Sequence, residues 1–167
     1  MQECSERTGQ IGQGKKMTIL VVDDEPDYRL VIRSILGAEG HSVILAEDGV
    51  DALEKLEEVA VDLVIADIYM PRMDGIKFHR KLRSLPRFEK LPVLFVSAFD
   101  DQHTMSAVKD PRYDGFLKKG RPIEELLEWV AYLATPEEKR PKMPPSRIPV
   151  KPNDRNLTRG QSSTPIY

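Results

Sequence analysis

The chain has 167 residues, 40% hydrophobic and 31% charged, with a formal net charge of −2, enough for one ordinary domain with its own core and short for two. Residues 17–135 hold 15 basic and 22 acidic side chains, whereas residues 136–167 hold seven basic and three acidic ones; an acidic body with basic ends argues against a nucleic-acid groove in the domain and is compatible with a bound cation. The lone cysteine, Cys4, excludes a disulfide framework and a cysteine-based zinc site.

The leader MQECSERTGQIGQGKK (1–16) has no apolar segment of the export kind, and nowhere do eighteen apolar residues run together. It reads as a disordered arm, and the protein as cytoplasmic and without a membrane span. From Thr18 short apolar runs alternate with amphipathic stretches. TILVV (18–22), SVILA (42–46), DLVIA (62–66), PVLFV (92–96) and DGFLK (114–118) read as strands, most of them apolar enough to be covered on both faces. Helices are predicted at 27–39, 49–59, 75–84, 101–109 and 122–134. The first carries Tyr28, Val31, Ile32, Ile35 and Leu36 at helical spacing. The last opens on Pro122, places Glu124 and Glu125 at the positive end of the helix, and aligns Ile123, Leu126, Leu127 and Val130. Five strands alternating with five helices predict an α/β, doubly wound parallel sheet. After Thr135 the texture changes: residues 136–167 hold seven of the 13 prolines and no amphipathic period, which predicts a disordered basic, Pro-rich tail and a domain spanning 17–135.

In such a sheet, ligands bind in the crevice at the carboxyl ends of the strands. The first strand ends on Asp23 and Asp24, the third on Asp67, the fourth on Ser97, and the fifth on Lys118 and Lys119. Carboxylates crowded at one edge repel each other unless a cation sits among them. A hard divalent cation answers that need, Mg²⁺ ahead of Ca²⁺ and with Mn²⁺ an admissible substitute. Mg²⁺ commonly binds a phosphate as well, for which a lysine supplies a point charge and a serine a hydrogen bond. With no Cys or His nearby to act as nucleophile, the Asp67 carboxylate is the acceptor of choice, forming an aspartyl phosphate. Read singly, Asp23 and Asp24 are helix caps, Ser97 is a strand-end hydroxyl, and Asp74-Gly75 is a turn feeding a helix. His41, His79 and His103 are polar-flanked and read as surface residues, and Trp129 as partly buried on the last helix.

Taken together, VVDDEPD with Asp23 and Asp24, IADIYMPRMDG with Asp67, FVSA with Ser97, and DGFLKKG with the lysine resemble the receiver domain of two-component response regulators, over residues 17 to about 134. The resemblance implies a flavodoxin-like (βα)5 fold with strand order 2-1-3-4-5 and a phosphorelay function, with Asp67 as phosphoacceptor. It implies Mg²⁺ held by Asp23 through water, Asp24, Asp67 and the backbone carbonyl of Tyr69. Ser97 stands 30 residues after Asp67 and Lys119 stands 52 after it, the family spacing, so Lys119 rather than Lys118 is expected to grip the phosphoryl oxygens with Ser97. Phe116 occupies the place of the family's switch aromatic, without a phenolic hydroxyl.

The implied donor is a sensor histidine kinase or phosphotransfer protein, and the implied output is contact with a downstream protein. No DNA-binding or other output domain is expected, nor any turnover beyond self-phosphorylation and self-dephosphorylation; a phosphorylation-dependent homodimer is compatible with this reading. Three departures stand out. Gly120 replaces the proline that usually follows the lysine; DPRYD before the fifth strand should shorten the fourth helix around Pro111; and bulky Tyr69 and Phe99, each two residues after Asp67 and Ser97, are expected to lengthen the life of the phosphoryl state. The alternatives are a phosphorylation-independent adaptor and an aspartate-nucleophile phosphatase; the latter class wants an Asp where Tyr69 stands.

Overall fold

The computed structural model describes residues 14–142 and 144–145; the predicted arm, apart from 14–16, and most of the predicted tail lie outside the described residues. Five parallel strands, β1 (Thr18–Val22), β2 (Ser42–Ala46), β3 (Leu63–Ala66), β4 (Val93–Ser97) and β5 (Asp114–Lys118), form one sheet in the order β2-β1-β3-β4-β5. The helices are α1 (Pro26–Ala38), α2 (Gly49–Glu58), α3 (Gly75–Arg83), α4 (Gln102–Met105) and α5 (Ile123–Ala134). This is the expected flavodoxin-like arrangement. β3 and β4 are buried along their whole length and β1 nearly so, because helices cover both faces. On one face α1 and α5 pack Ile32, Leu36, Trp129 and Leu133 against Ile19, Val21, Ile65 and Leu94; on the other, α2 and α3 pack Ala52, Leu56, Phe78 and Leu82 against Leu20, Val64 and Phe95. Alternate residues of each strand thus serve opposite cores. No helix among the described residues is long and apolar enough to cross a membrane.

Three local findings depart from the sequence reading. The fourth helix, predicted over 101–109, is a single turn at Gln102–Met105. Pro111 biases Asp110 away from the helical region, and the N–H groups of Lys109 and Asp110 donate to Asp114 Oδ2, each at 3.0 Å, instead of extending the helix. The shortening expected around Pro111 is therefore real and larger than anticipated. His79 is not a surface residue: it is 3% exposed, its Nε2 lies 2.8 Å from Asp114 Oδ1, and its ring meets Phe95 edge-on. Trp129 is fully buried rather than half-buried, in space left by Gly115, where an added Cβ would come 2.7 Å from the indole. The other two histidines are closer to expectation, His103 exposed and His41 half-buried, accepting from Met17 N–H at 3.2 Å.

Past Thr135 the described chain continues through a 3-10 turn at Glu137–Lys139. Arg140 donates to the carbonyls of Thr135 (2.7 Å), Leu133 (3.1 Å) and Arg112, closing the carboxyl end of α5.

Candidate functional site

The backbone aims the site residues. Asp23 follows β1 and its N–H donates to Ala46 O (3.1 Å); Asp67 follows β3 and donates to Val22 O (2.9 Å); Lys119 follows β5 and donates to Ser97 O (2.8 Å). Each bond prolongs the sheet by one residue, so these side chains leave from rigid backbone rather than from free loop. The Lys119 turn is completed by Gly120 at φ +87° with no cis peptide bond among the described residues, a left-handed conformation that glycine adopts at no steric cost. Gly120 thereby replaces the proline route around this corner.

Asp23 and Asp67 are buried, Asp24 and Glu25 exposed, and one carboxylate oxygen from each of the four lies within 4.8 Å of the others. Neither Asp23 nor Asp24 caps α1. Its N-cap is Glu25, which makes no side-chain capping bond, while Asp23 Oδ1 accepts from Glu25 N–H at 2.8 Å. Lys119 Nζ stands 2.7 Å from Asp23 Oδ2, 3.0 Å from Asp67 Oδ2 and 3.3 Å from Glu25 Oε1, and 4.4 Å from the centre of the Tyr28 ring. The neighbouring Lys118 instead reaches Asp100, at 3.4 Å. The second oxygen of Asp67, Oδ1, accepts from Ile68 N–H at 2.7 Å.

Burial raises the pKa of the Asp23 carboxyl, more than the adjacent Lys119 ammonium and the hydrogen bond from Glu25 N–H lower it, and the Asp67 charge adds to the rise. Burial alone would lower the Lys119 ammonium, but Asp23 and Asp67 outweigh it and shift it upward. The Tyr28 phenol is pushed up to about 12 by burial. Asp23 Oδ2 is buried with no hydrogen bond, the ammonium approaching it outside hydrogen-bonding geometry. A buried carboxylate oxygen with unused capacity, inside a group of four carboxylates, fits a hard divalent cation that takes oxygen ligands.

The remaining residues surround this cluster. Ser97 is the last residue of β4 and fully buried; its Oγ accepts from Phe99 N–H at 3.3 Å, which leaves its own O–H proton for another acceptor. Phe116 is buried in the core on the α2 and α3 face. Tyr69 and Phe99 meet edge-on with ring centres 5.3 Å apart.

The loop between Asp67 and α3, which carries the Tyr69 carbonyl, is fastened at both ends. Gly75 N–H donates to Ile68 O at 2.7 Å, and a Cβ on Gly75 would lie 2.2 Å from the Asp67 carbonyl oxygen, so only glycine allows that approach. Asp74 caps α3 by accepting from Lys77 N–H at 2.8 Å, the structural role the sequence suggests. At the loop's tip Arg72 adopts φ +61°, the one non-glycine residue with positive φ among the described residues. It is held there by Asp48 (2.5 Å) and Glu47 (3.3 Å) at the start of α2. Glu25, Tyr28, Arg72 and Asp48 were absent from the sequence-level site. The first follows the acidic pair directly, Tyr28 was absorbed into the apolar stripe of α1, and the Arg72–Asp48 contact spans 24 residues.

Comparison with known proteins identifies the family and the fold. The response regulator receiver domain family model matches residues 19–131. The response regulator MprA of Mycobacterium avium is 37% identical over 150 residues, 87% of this chain; the chain spans only 65% of that relative's length. Among solved structures, the chemotaxis protein CheY4 of Vibrio cholerae superposes with a TM-score of 0.64 at 28% identity, covering 69% of this chain and 96% of CheY4. The response regulator TrrA of Thermotoga maritima, solved in complex with Mg²⁺-BeF, superposes with a TM-score of 0.60 at 30% identity, covering 70% of this chain and 98% of that one. With the family model matching most of its length and the fold in agreement, this chain belongs to the response regulator receiver domain family.

Proposed function

We propose that the protein accepts a phosphoryl group from a phosphohistidine onto Asp67 and relays the change to a partner protein. The observation that carries this reading is the contact set of Asp67: a buried carboxylate with one oxygen 3.0 Å from the Lys119 ammonium, in a cluster with Asp23 and Asp24. In the transfer an Asp67 oxygen attacks phosphorus, the P–N bond of the donor breaks, and its electron pair returns to the donor's imidazole. Lys119 then pairs with the phosphoryl oxygens and Ser97 O–H donates to one of them, both contacts strengthening as charge gathers there. Asp23, Asp24, Asp67 and the Tyr69 carbonyl would hold Mg²⁺, or Mn²⁺, which supplies charge neutralisation to the phosphoryl oxygens.

Donor and receiver partners follow from the family: response regulators work with histidine kinases. For this chain the donor is a sensor kinase or phosphotransfer protein. The readout is the surface around α4, β5 and α5, below the Ser97 and Phe116 positions. Phe116 is already buried, which favours a switch read from Ser97 and α4 over one that needs a large movement of the aromatic ring.

The test is labelling by acetyl phosphate. Label should appear with Mg²⁺, vanish with chelator, and be lost in Asp67→Asn; label retained in Asp67→Asn would refute the assignment, and turnover of added phosphoesters would favour a phosphatase instead.

A further inference from the structure

The Lys119 ammonium touches two kinds of partner. On its inner side are the buried carboxylates of Asp23 and Asp67, at 2.7 and 3.0 Å. On its outer side are Glu25 Oε1 at 3.3 Å and the face of the Tyr28 ring at 4.4 Å. Both outer groups come from the start of α1, Glu25 as N-cap and Tyr28 in the first turn. The Glu25 side chain makes no capping bond and is 67% exposed, so the helix does not require it and it is free to follow the ammonium.

A divalent cation drawn to Asp23 and Asp67 competes with that ammonium for the same carboxylate charge, and the two cations repel at short range. Lysine is a point charge on a flexible stem, able to swing without rebuilding a planar fork of bonds. A carboxylate and an aromatic face are the two surfaces that hold an ammonium best. We propose that Glu25 and Tyr28 form the station to which the Lys119 ammonium withdraws when a divalent cation takes the inner carboxylates, so that Glu25 tunes metal affinity through Lys119. The inference rests on the reading of Asp23, Asp24 and Asp67 as the metal-holding carboxylates.

Mg²⁺ titration calorimetry on the full chain tests it in a double-mutant cycle. Glu25→Gln should weaken Mg²⁺ binding by roughly threefold, the scale of a partly exposed ion pair. Lys119→Met should tighten binding by removing the competitor, and in that background Glu25→Gln should have no effect. As a second readout, the Tyr28 ring resonances should shift on Mg²⁺ addition in the parent protein and stay put in Lys119→Met. An unchanged affinity in Glu25→Gln overturns the station, and so does an equal loss in both backgrounds, which would make Glu25 a direct ligand. If the parent binds Mg²⁺, Asp24→Asn abolishes binding and Glu25→Gln does nothing, the metal site stands and the station alone falls. A parent protein that binds no Mg²⁺ overturns both.

Discussion

Tyr69 is held at several points at once. Its ring meets Phe99 edge-on and tilts against His103 at 5.9 Å, and its hydroxyl donates to Asp101 Oδ2 at 3.1 Å. Asp101 also caps α4 through Thr104 N–H at 2.8 Å, and that backbone bond is the largest cause holding its carboxyl below the usual range. A charged acceptor makes the phenol bond stronger than a neutral pair. The ring is thus fixed beside the loops that leave Asp67 and Ser97, where water must approach an acyl phosphate. A phosphoryl group on Asp67 should decay more slowly in the parent than in Tyr69→Asn, by roughly three- to tenfold, or about 1 kcal/mol of barrier. Tyr69→Phe should fall between, keeping the Phe99 contact and losing the tether. Following label loss after removal of donor checks this, and faster decay in the parent would refute it. Spacing alone pointed to Tyr69 and Phe99; that the two rings touch, and that Asp101 joins them to α4, depends on contacts between separate loops that no local pattern encodes.

Between elements, one buried polar tie was hidden in the sequence. Asp114, fully buried at the start of β5, accepts from Arg83 of α3 at 2.6 Å and pairs with His79 of the same helix at 2.8 Å, while its other oxygen takes the Lys109 and Asp110 amides in the segment between α4 and β5. Arg83 further donates to the carbonyls of Phe88 and Leu91, both at 2.8 Å. Burial would raise the Asp114 carboxyl, yet His79, the Asp110 N–H and Arg83 together hold it below its ordinary 3.8. A depressed carboxyl contributes stability that is present above its unfolded value and lost as pH falls through the folded one. Asp114→Asn should therefore be less stable than the parent at pH 7, by about 2 kcal/mol, and the gap should narrow below pH 4; urea midpoints at pH 7 and pH 3 measure it. A gap that is constant across that range would mean the carboxylate's charge is not what matters. His79 was legible in part. Gly75, Phe78, His79 and Leu82 fall on one buried stripe of α3, but a polar residue on an apolar stripe is convincing only once its partner is known, and Asp114 lies 35 residues away.

At the scale of the molecule, five runs of strand length, four of them strongly apolar, were enough to predict a parallel sheet, because burial on both faces leaves a parallel strand little choice of residue; its strand order came with the family resemblance. The carboxyl edge was legible in part for the same reason: a charged residue directly after a buried run is placed by the run itself, as Asp23 and Asp67 are, whereas Lys119 follows the exposed Lys118 and was singled out only by the spacing that the family resemblance supplied. Side chains that reach the site from α1 and the loops were not, since Glu25 and Tyr28 have ordinary local roles available to them.

The assembled edge also has a cost. A buried carboxyl whose pKa is raised, as at Asp23, lowers stability at neutral pH and releases that cost as pH falls toward its unfolded value, the opposite sign to Asp114. A cation that binds the folded cluster and not the unfolded chain offsets the repulsion and adds stability by mass action, about 2.7 kcal/mol at a hundredfold excess over Kd. For a domain of this size that is a rise in Tm of roughly 10 °C. Thermal melts in chelator and in saturating Mg²⁺ should differ by that order. Asp24→Asn, which removes an exposed member of the cluster, should melt no lower than the parent in chelator and should lose most of the rise in Mg²⁺. An equal rise in Asp24→Asn would place the Mg²⁺ effect elsewhere on the acidic body, and the four-carboxylate edge would then be a product of the fold alone.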